Sequence, residues 1–163
     1  MKRVVILGPG GAGKSTLARR LGVLVDLPVV ELDRHFWNPD LQPMANEEWR
    51  KVQANLIQPA RWIMDGDLGP YDVVEPRLQR ADTVVMLDFA RWRCMWRSVR
   101  RSRQRLDFWR WLWSWRTESR PQLLTAIAAH AGQAEIKVLR SPAAVEQWLS
   151  EIKSNQQTGS EPG

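Results

Sequence analysis

The sequence predicts an α/β fold of three layers, with a parallel sheet between two layers of helices. Five short apolar runs alternate along the chain with segments whose apolar residues recur at helical spacing. The first run, Val4–Leu7, is followed by a glycine-rich loop and then by a helical segment. Such alternation is typical of βαβ units, whose sheet is parallel and whose crossovers are right-handed. The length of 163 residues suits one domain of this class.

The glycine-rich loop matches the phosphate-binding pattern G-x-x-x-x-G-K-[ST], the P-loop. Glycines allow the backbone to pass close to a phosphate chain, so that successive N–H groups point at its oxygens. The helix that begins at the end of the loop adds the partial positive charge of its N-terminus. The residues predicted to bind ATP are Gly8, Gly10, Gly11, Ala12, Gly13, Lys14, Ser15 and Thr16.

Two side chains of this loop carry chemistry. Lys14 is expected to reach the β- and γ-phosphates as a mobile cation, and Ser15 is expected to supply a hydroxyl ligand to Mg²⁺. The same stretch also spells the dinucleotide pattern G-x-G-x-x-G, with Asp33 at a suitable distance to hold a ribose. Lys14 followed by Ser15 favours the P-loop, because a dinucleotide site has no use for a lysine and a metal-binding hydroxyl there. A purely structural glycine turn is the remaining interpretation.

The elements of the first half follow from apolar spacing and from turn residues. The second strand is expected to begin after a proline, Pro28. Asn46 is expected to cap a helix that has two glutamates in its first turn and that ends at Pro59. In chain order the sequence predicts helix 16–24, strand 28–33, loop 34–44, helix 46–58, strand 61–65, loop 67–72, short helix 73–79 and strand 83–88.

The second half is rich in arginine and tryptophan. Residues 91–105 contain seven arginines, four of which recur at every fourth position, and they predict a helix with a cationic face. Residues 107–130 predict a further helix, interrupted at most near Pro121. Strand 135–139 and a last helix from Pro142 are predicted to follow. Residues 1–153 are predicted to form one domain, and residues 154–163 a flexible tail.

The P-loop, Leu32-Asp33, Asp65-Gly66 and the arginine-rich helix together resemble the adenylate-kinase-like family of P-loop nucleotide kinases. More narrowly, the runs 62–66, 80–83 and 87–92 and the Trp-rich segment before Ser119-Arg120-Pro121 resemble bacterial DNA-topology-modulation proteins, members of that family whose substrate is generally unassigned. The resemblance implies a P-loop NTPase fold with sheet order 2-3-1-4-5. It also implies an ATP- and Mg²⁺-dependent kinase acting on a small molecule, with a nucleoside or nucleotide among the candidate acceptors.

The resemblance implies roles for two carboxylates that end neighbouring strands. Asp65 would bind Mg²⁺ through water, which agrees with the reluctance of Mg²⁺ to lose its waters. Asp33 would orient the acceptor substrate at the sheet edge where ligands of parallel sheets bind. The alternative interpretations are a carboxylate that caps a loop for Asp65 and a solvated strand end for Asp33.

The resemblance also implies roles for four arginines. Arg97 and Arg101 match the arginines near the lid, of which the first stacks on adenine and the second contacts phosphate. Arg116 and Arg120 resemble the arginines that return from the lid. Phosphoryl transfer needs cations around the transferring group, and bidentate guanidinium groups suit that work. Most of the other arginines of this region are expected to be solvated surface residues.

The sequence departs from this family in two places. Only about residues 102–107 are available for a lid, which predicts poor exclusion of water or slow transfer unless tryptophans help to close the site. The stretch Asp67-Leu68-Gly69-Pro70 lacks the basic residue with which adenylate kinases hold the phosphate of the acceptor. This second difference weakens the case for a nucleoside monophosphate as acceptor.

Composition leaves a second hypothesis open. The net charge of +6 and the interleaved arginines and tryptophans are also compatible with a DNA-associated regulator that uses ATP as a switch. The tryptophans between 109 and 115 are too many for one buried face, so some are expected to be exposed for self-association as a homodimer, for base stacking or at a membrane surface. The single cysteine, Cys94, and the lack of a membrane-length apolar run favour a cytoplasmic protein.

Overall fold

A five-stranded parallel sheet lies at the centre of the computed structural model, which describes residues 1–38, 42–90, 94 and 113–158. The strands are β1 (Arg3–Leu7), β2 (Val29–Glu31), β3 (Trp62–Asp65), β4 (Thr83–Leu87) and β5 (Glu135–Leu139). They pair in parallel in the order β2-β3-β1-β4-β5. The predicted fold class and sheet order are therefore confirmed.

Helices cover both faces of the sheet. They are α1 (Lys14–Val25), α2 (Asp33–Phe36), α3 (Asn46–Leu56), α4 (Glu75–Arg80), α5 (Ser119–His130) and α6 (Pro142–Thr158), with a 3₁₀ turn at Gly69–Tyr71. Among these described helices, none combines the length and the apolar character that crossing a membrane requires.

Four sequence-based boundaries need correction. The short helix α2 lies where a strand end and a loop were predicted. Ala45 precedes α3, so Asn46 is its first helical residue and not its cap. The described part of the predicted helix 107–130 is interrupted by turns over residues 115–118, before Pro121 is reached. Helix α6 continues to Thr158, so the first residues of the predicted tail are helical. The predicted arginine helix lies outside the described residues, except for Cys94, which is helical and buried.

The core is divided between the two faces of the sheet because alternate strand residues point to opposite sides. On one face Val5, Met64 and Val84 pack with residues of α3, α4 and α5, including Trp49 and Ile127. On the other face the intervening strand residues pack against α1 and α6. The cluster on this face includes Val4, Ile6, Ile63, Val85 and Leu87 of the strands and Leu17, Leu21 and Trp148 of the helices. Strands buried on both sides are typical of parallel sheets covered by helices, so the carboxyl edge of the sheet is left for ligands.

A buried arginine organises the loop between β3 and α4. Arg77 is fully buried, and both of its terminal nitrogens donate hydrogen bonds to the carboxylate of Asp72. It also donates to Gln53 Oε1 at 2.9 Å and to the carbonyl oxygens of Val73 at 3.3 Å and Gly66 at 3.4 Å. These bonds connect α3, the end of β3 and α4. These bonds therefore fix the loop that begins at the carboxyl end of β3.

Candidate functional site

The P-loop lies at the carboxyl end of β1, where the backbone requires glycine. Gly8 has φ +144°, and a Cβ atom added there would lie 2.6 Å from the carbonyl oxygen of Leu87. Gly13 has φ +96° immediately before α1 begins at Lys14. Residues with side chains rarely adopt this left-handed conformation. The glycines therefore permit both the turn of the loop and its close approach to β4.

The predicted nucleotide-binding residues lie in the loop after β1 and on the first turn of α1. Lys14 Nζ donates to the carbonyl oxygens of Gly8 at 2.8 Å and Pro9 at 3.2 Å, so the lysine side chain extends back over the loop. Ser15 lies on the first turn of α1, and Thr16 beside it is exposed. The remaining members, all within the loop itself, are Gly10, Gly11, Ala12 and Gly13.

Asp65 is the last residue of β3 and pairs in register with Ile6 of β1. It is 4% exposed, and Ser15 and Lys14 lie close enough to favour the charged form of its carboxyl group. Burial raises the pKa of Asp65, while the hydroxyl of Ser15 and the charge of Lys14 oppose that shift. Its Oδ1 atom is buried and has no hydrogen-bond partner among the described residues. A hydroxyl beside a carboxylate oxygen that lacks a partner is a donor set that fits Mg²⁺ and its waters.

Asp67 is a buried carboxylate at this edge that sequence reasoning treated only as loop. Its Oδ1 accepts from the backbone N–H of Gly69 at 3.0 Å, and its Oδ2 accepts from Trp115 Nε1 at 3.0 Å. Burial raises the pKa of Asp67, and the nearby charge of Lys14 lowers it. The Asp-Gly-Asp sequence after an apolar strand was the signal for this residue, since it places a second carboxylate at the same sheet edge.

The raised pKa of Asp67 predicts a pH-dependent loss of stability. Above its ordinary value of 3.8 the folded protein keeps a proton on this group that the unfolded chain releases. By linkage, its contribution to stability is fully present below that value and is lost as the pH rises through the raised pKa. A variant without the ionisable group should not show this loss of stability with rising pH. The Asp67→Asn variant should therefore gain in Tm relative to wild type as the pH rises from about 4 to about 8.

Differential scanning calorimetry of both proteins across this pH range measures the effect. The variant loses one hydrogen bond at every pH, because its amide group replaces one of the two acceptor oxygens, so the readout is the pH dependence of the Tm difference. Asp26→Asn, which changes an exposed carboxylate, is the matched control. A Tm difference for Asp67→Asn that is independent of pH would contradict the burial argument.

Asp33 lies just after β2, on the first turn of α2. Its Oδ1 accepts a hydrogen bond from Trp37 Nε1 at 3.3 Å. The charge of Asp33 raises the pKa of Asp65, so the two carboxylates interact across the ends of β2 and β3. The ring of Trp37 also contacts Tyr71 of the loop after β3, with ring centroids 6.3 Å apart. The structure thus brings Asp33 and Asp65 to one edge, and it adds aromatic side chains that the sequence had not connected with them.

Two of the four predicted arginines are described, and both contact Asp88 at the carboxyl end of β4. Arg120 lies 3.0 Å from the Asp88 carboxylate, and Arg116 lies 3.4 Å from it. Asp88 is 3% exposed and follows Leu87, whose carbonyl oxygen faces Gly8 of the P-loop. The arginines are therefore near the loop but held on a carboxylate. Arg97 and Arg101 lie outside the part of the chain that the structure describes.

The tryptophans predicted to be exposed divide between surface and core where they are described. Trp113 is 60% exposed, whereas Trp115 is buried against Asp67. Outside this segment, Trp62 and Trp148 are buried. The hydrogen bond from Trp115 connects the segment that carries Arg116 and Arg120 to the loop after β3.

The architecture is shared with solved structures of small-molecule kinases. A shikimate kinase from Acinetobacter baumannii in complex with shikimate matches with a TM-score of 0.64 at 15% identity, covering 99% of this chain and 96% of that one. A shikimate kinase from Bacteroides thetaiotaomicron matches at 0.58 with 15% identity over 96% and 98% of the two chains. A gluconokinase from Sinorhizobium meliloti matches at 0.55 with 13% identity over 98% of each.

Sequence comparison adds no closer relationship. No protein-family model matches the chain, and no curated protein matches it. The narrower resemblance to DNA-topology-modulation proteins is not confirmed by these comparisons and stays a prediction. Because the structural matches cover nearly the whole length of both chains, this chain has the P-loop NTPase fold of the small-molecule kinases.

Proposed function

We propose that the protein is an ATP- and Mg²⁺-dependent kinase that transfers the γ-phosphoryl group to a hydroxyl of a small molecule. The observation that carries this proposal is the proximity of Ser15, Lys14 and the buried Asp65, whose Oδ1 has no hydrogen-bond partner among the described residues. A glycine loop that served only as a structural turn would need neither the lysine nor the buried carboxylate. The likeness to shikimate kinases and a gluconokinase supports the same reaction class.

The P-loop would hold the donor. Its N–H groups and the N-terminus of α1 bind the phosphates, and Lys14 exchanges the carbonyl oxygens of Gly8 and Pro9 for phosphate oxygens. Ser15 and Asp65 would hold Mg²⁺, directly and through water respectively. When bound, Mg²⁺ supplies positive charge to the phosphate oxygens. Catalysis of this kind consists mainly of positioning and electrostatic stabilisation.

The acceptor would approach from the ends of β2 and β3. Its hydroxyl oxygen forms a bond to the γ-phosphorus while the bond from that phosphorus to the bridging oxygen breaks, and ADP leaves. Asp33 orients the hydroxyl by accepting its hydrogen bond, and the proton is released to solvent. Arg116 and Arg120, which lie on Asp88, can turn from that carboxylate to the transferring group. Arg97 and Arg101 remain proposed contacts of adenine and phosphate on the resemblance alone.

Asp65→Asn should weaken the response to Mg²⁺. The amide keeps the size of the side chain but cannot hold a cation's water as strongly as a carboxylate. We expect the Mg²⁺ concentration for half-maximal activity to rise by about 10- to 100-fold. The measurement is ADP release against Mg²⁺ concentration at saturating ATP, with Asp26→Asn as a control for the loss of a negative charge. An unchanged Mg²⁺ response would remove Asp65 from the metal site.

A screen for ADP release from ATP and Mg²⁺ in the presence of different hydroxyl compounds tests the proposed function itself. Stimulation by one class of acceptor supports a kinase. The second hypothesis, a nucleic-acid-associated regulator, is motivated by the net charge of +6 and by the exposed Trp113 near Arg116. Steep loss of DNA affinity with salt, measured by fluorescence anisotropy, would favour it. Association as a homodimer through the Trp-rich surface is likewise a proposal, which light scattering tests.

A further inference from the structure

The side of the proposed site that faces the acceptor has an aromatic surface of defined orientation. We call Asp33, Trp37 and Tyr71 the acceptor wall. Trp37 is half-buried and its indole N–H is bound to Asp33, while Tyr71 is 46% exposed. The wall lies beside Asp65, because the charge of Asp33 acts on that carboxylate.

The orientation of the wall is set by packing from behind. The ring of Phe36, which is buried, contacts Trp37 edge-on with centroids 4.9 Å apart. Phe36 in turn contacts the buried Trp49 of α3 at 5.2 Å. Trp37 is therefore held by one hydrogen bond and by rings on two sides, at Phe36 and Tyr71. A partly exposed indole held in this way is prepared to stack on a ring without first being ordered.

The charges around the wall are negative. Carboxylates occur at the carboxyl end of β2, at the end of β3 and in the loop that follows. They are Glu31, Asp33, Asp65, Asp67 and Asp72. The cations that the described part of these segments offers are already paired, since Arg34 lies on Glu31 at 2.7 Å and the buried Arg77 lies on Asp72. His35 of α2 is exposed. Because Glu31 and Asp72 are paired, an anionic group placed against the wall would face Asp33 and Asp65, and the described residues of these segments offer it no unpaired arginine or lysine.

Resting on the kinase function proposed above, we propose that the acceptor is an uncharged or cationic alcohol that presents a ring face to Trp37 and Tyr71. An acceptor that carries a carboxylate or phosphate is discriminated against. The site would thus differ from the shikimate kinases, since shikimate is itself a carboxylate. The ring can be the base of a nucleoside or the apolar face of a sugar or amino sugar, because both stack on an indole.

Matched acceptors that differ by one charged group test this proposal. Suitable pairs are adenosine with AMP, glucose with glucuronate, and glucosamine with glucosamine 6-phosphate, each assayed for ADP release at saturating ATP and Mg²⁺. We expect kcat/KM for the uncharged or cationic member to exceed that for the anion by at least about tenfold in each pair that reacts. The nucleoside and sugar arms identify which ring is used. Equal or faster transfer to the anion would overturn the inference.

Absence of transfer to every compound, in a protein that still binds ATP, would instead overturn the proposed kinase function and this inference with it. The two failures are therefore distinguishable. Trp37→Leu should raise the acceptor KM by about tenfold or more while the KM for ATP stays unchanged.

The role of charge is tested by Asp33→Asn, whose amide oxygen can still accept the bond from Trp37. Its overall activity should fall, but the ratio of kcat/KM between the uncharged and anionic members should shift toward the anion by about threefold or more. Asp26→Asn is the control and should leave that ratio unchanged. A ratio that is insensitive to Asp33→Asn would show that this carboxylate does not select against anions.

Discussion

Lys14→Met should lower kcat for phosphoryl transfer by about 10³-fold. In the structure, Lys14 Nζ is bound only to backbone carbonyl oxygens of the loop, at Gly8 and Pro9, among the described residues. These contacts leave the ammonium group able to move onto phosphate oxygens when ATP is bound. Methionine keeps the unbranched stem and removes the charge. The loss should therefore appear mainly in kcat, where charge develops in the transition state.

Three measurements make this prediction specific. ADP release gives kcat, calorimetric titration gives ATP affinity, and thermal unfolding reports whether the fold survives. Lys51→Met, which removes an exposed lysine from α3, is the matched control and should retain activity. If Lys14→Met transferred phosphate at the wild-type rate, the assignment of this lysine and the proposed donor site would both fail.

The same variant should have a second effect on the neighbouring carboxylates. The charge of Lys14 lowers the pKa values of both Asp65 and Asp67, in opposition to their burial. Without that charge, both pKa values should rise further. The loss of stability between acidic and neutral pH should then be greater in Lys14→Met than in the wild-type protein. This result would show that Lys14 stabilises the ionised forms of Asp65 and Asp67 in addition to its proposed role in binding phosphate.

The sheet and the P-loop were predictable because their signals are local. Each strand is a short apolar run, and the loop is a contiguous pattern whose glycines meet a backbone requirement at Gly8 and Gly13. The order of the strands came from the resemblance, since apolar runs alone do not determine which strands are neighbours. The carboxyl edge of the sheet followed from that order, and with it the proximity of Asp33 and Asp65.

The contacts that complete the site were not predictable because they join residues far apart in sequence. The bond between Trp115 and Asp67 spans 48 positions, and Arg120 reaches Asp88 across 32. An alternating run of tryptophans gives no indication of which ring is buried. Helix α2 was missed because it is a single turn whose Phe36 is fixed by tertiary packing on Trp49, and helical periodicity cannot be recognised in so few residues.

The proposed donor and acceptor halves of the site differ in charge. Lys14, Arg116 and Arg120 provide the cations near the P-loop, whereas the ends of β2 and β3 are acidic. Asp88, at the end of β4, holds the two arginines on the other side of β1 from these acidic strand ends. An arrangement of this kind favours binding of the polyphosphate at the P-loop and disfavours its binding at the acceptor wall. In the proposed reaction, each substrate would thereby be directed to its own side of the site.

Arg77→Met should destabilise the fold by about 3 to 5 kcal/mol. The guanidinium is fully buried and pairs with Asp72, while the same nitrogens bond to Gln53 and to backbone carbonyl oxygens. Methionine fills part of the space but leaves the Asp72 carboxylate without its cation and Gln53 Oε1 without the donor Arg77. Urea unfolding gives the free energy difference, and Arg50→Met on the exposed side of α3 is the control.

A double-mutant cycle separates the lost pair from lost packing. Asp72→Asn removes the charge that Arg77→Met leaves unpaired, and its amide oxygen can still accept the bond from the backbone N–H of Leu68. The double variant should therefore be less destabilised than the sum of the two single variants, with a coupling energy of about 1 to 3 kcal/mol. Additive effects would mean that Arg77 acts by filling volume. Arg77 supports the loop that carries Tyr71 and Asp67. The folded fraction of Arg77→Met should therefore also have a raised KM for the acceptor and an unchanged KM for ATP. This result would show that the buried pair supports the acceptor side of the proposed site.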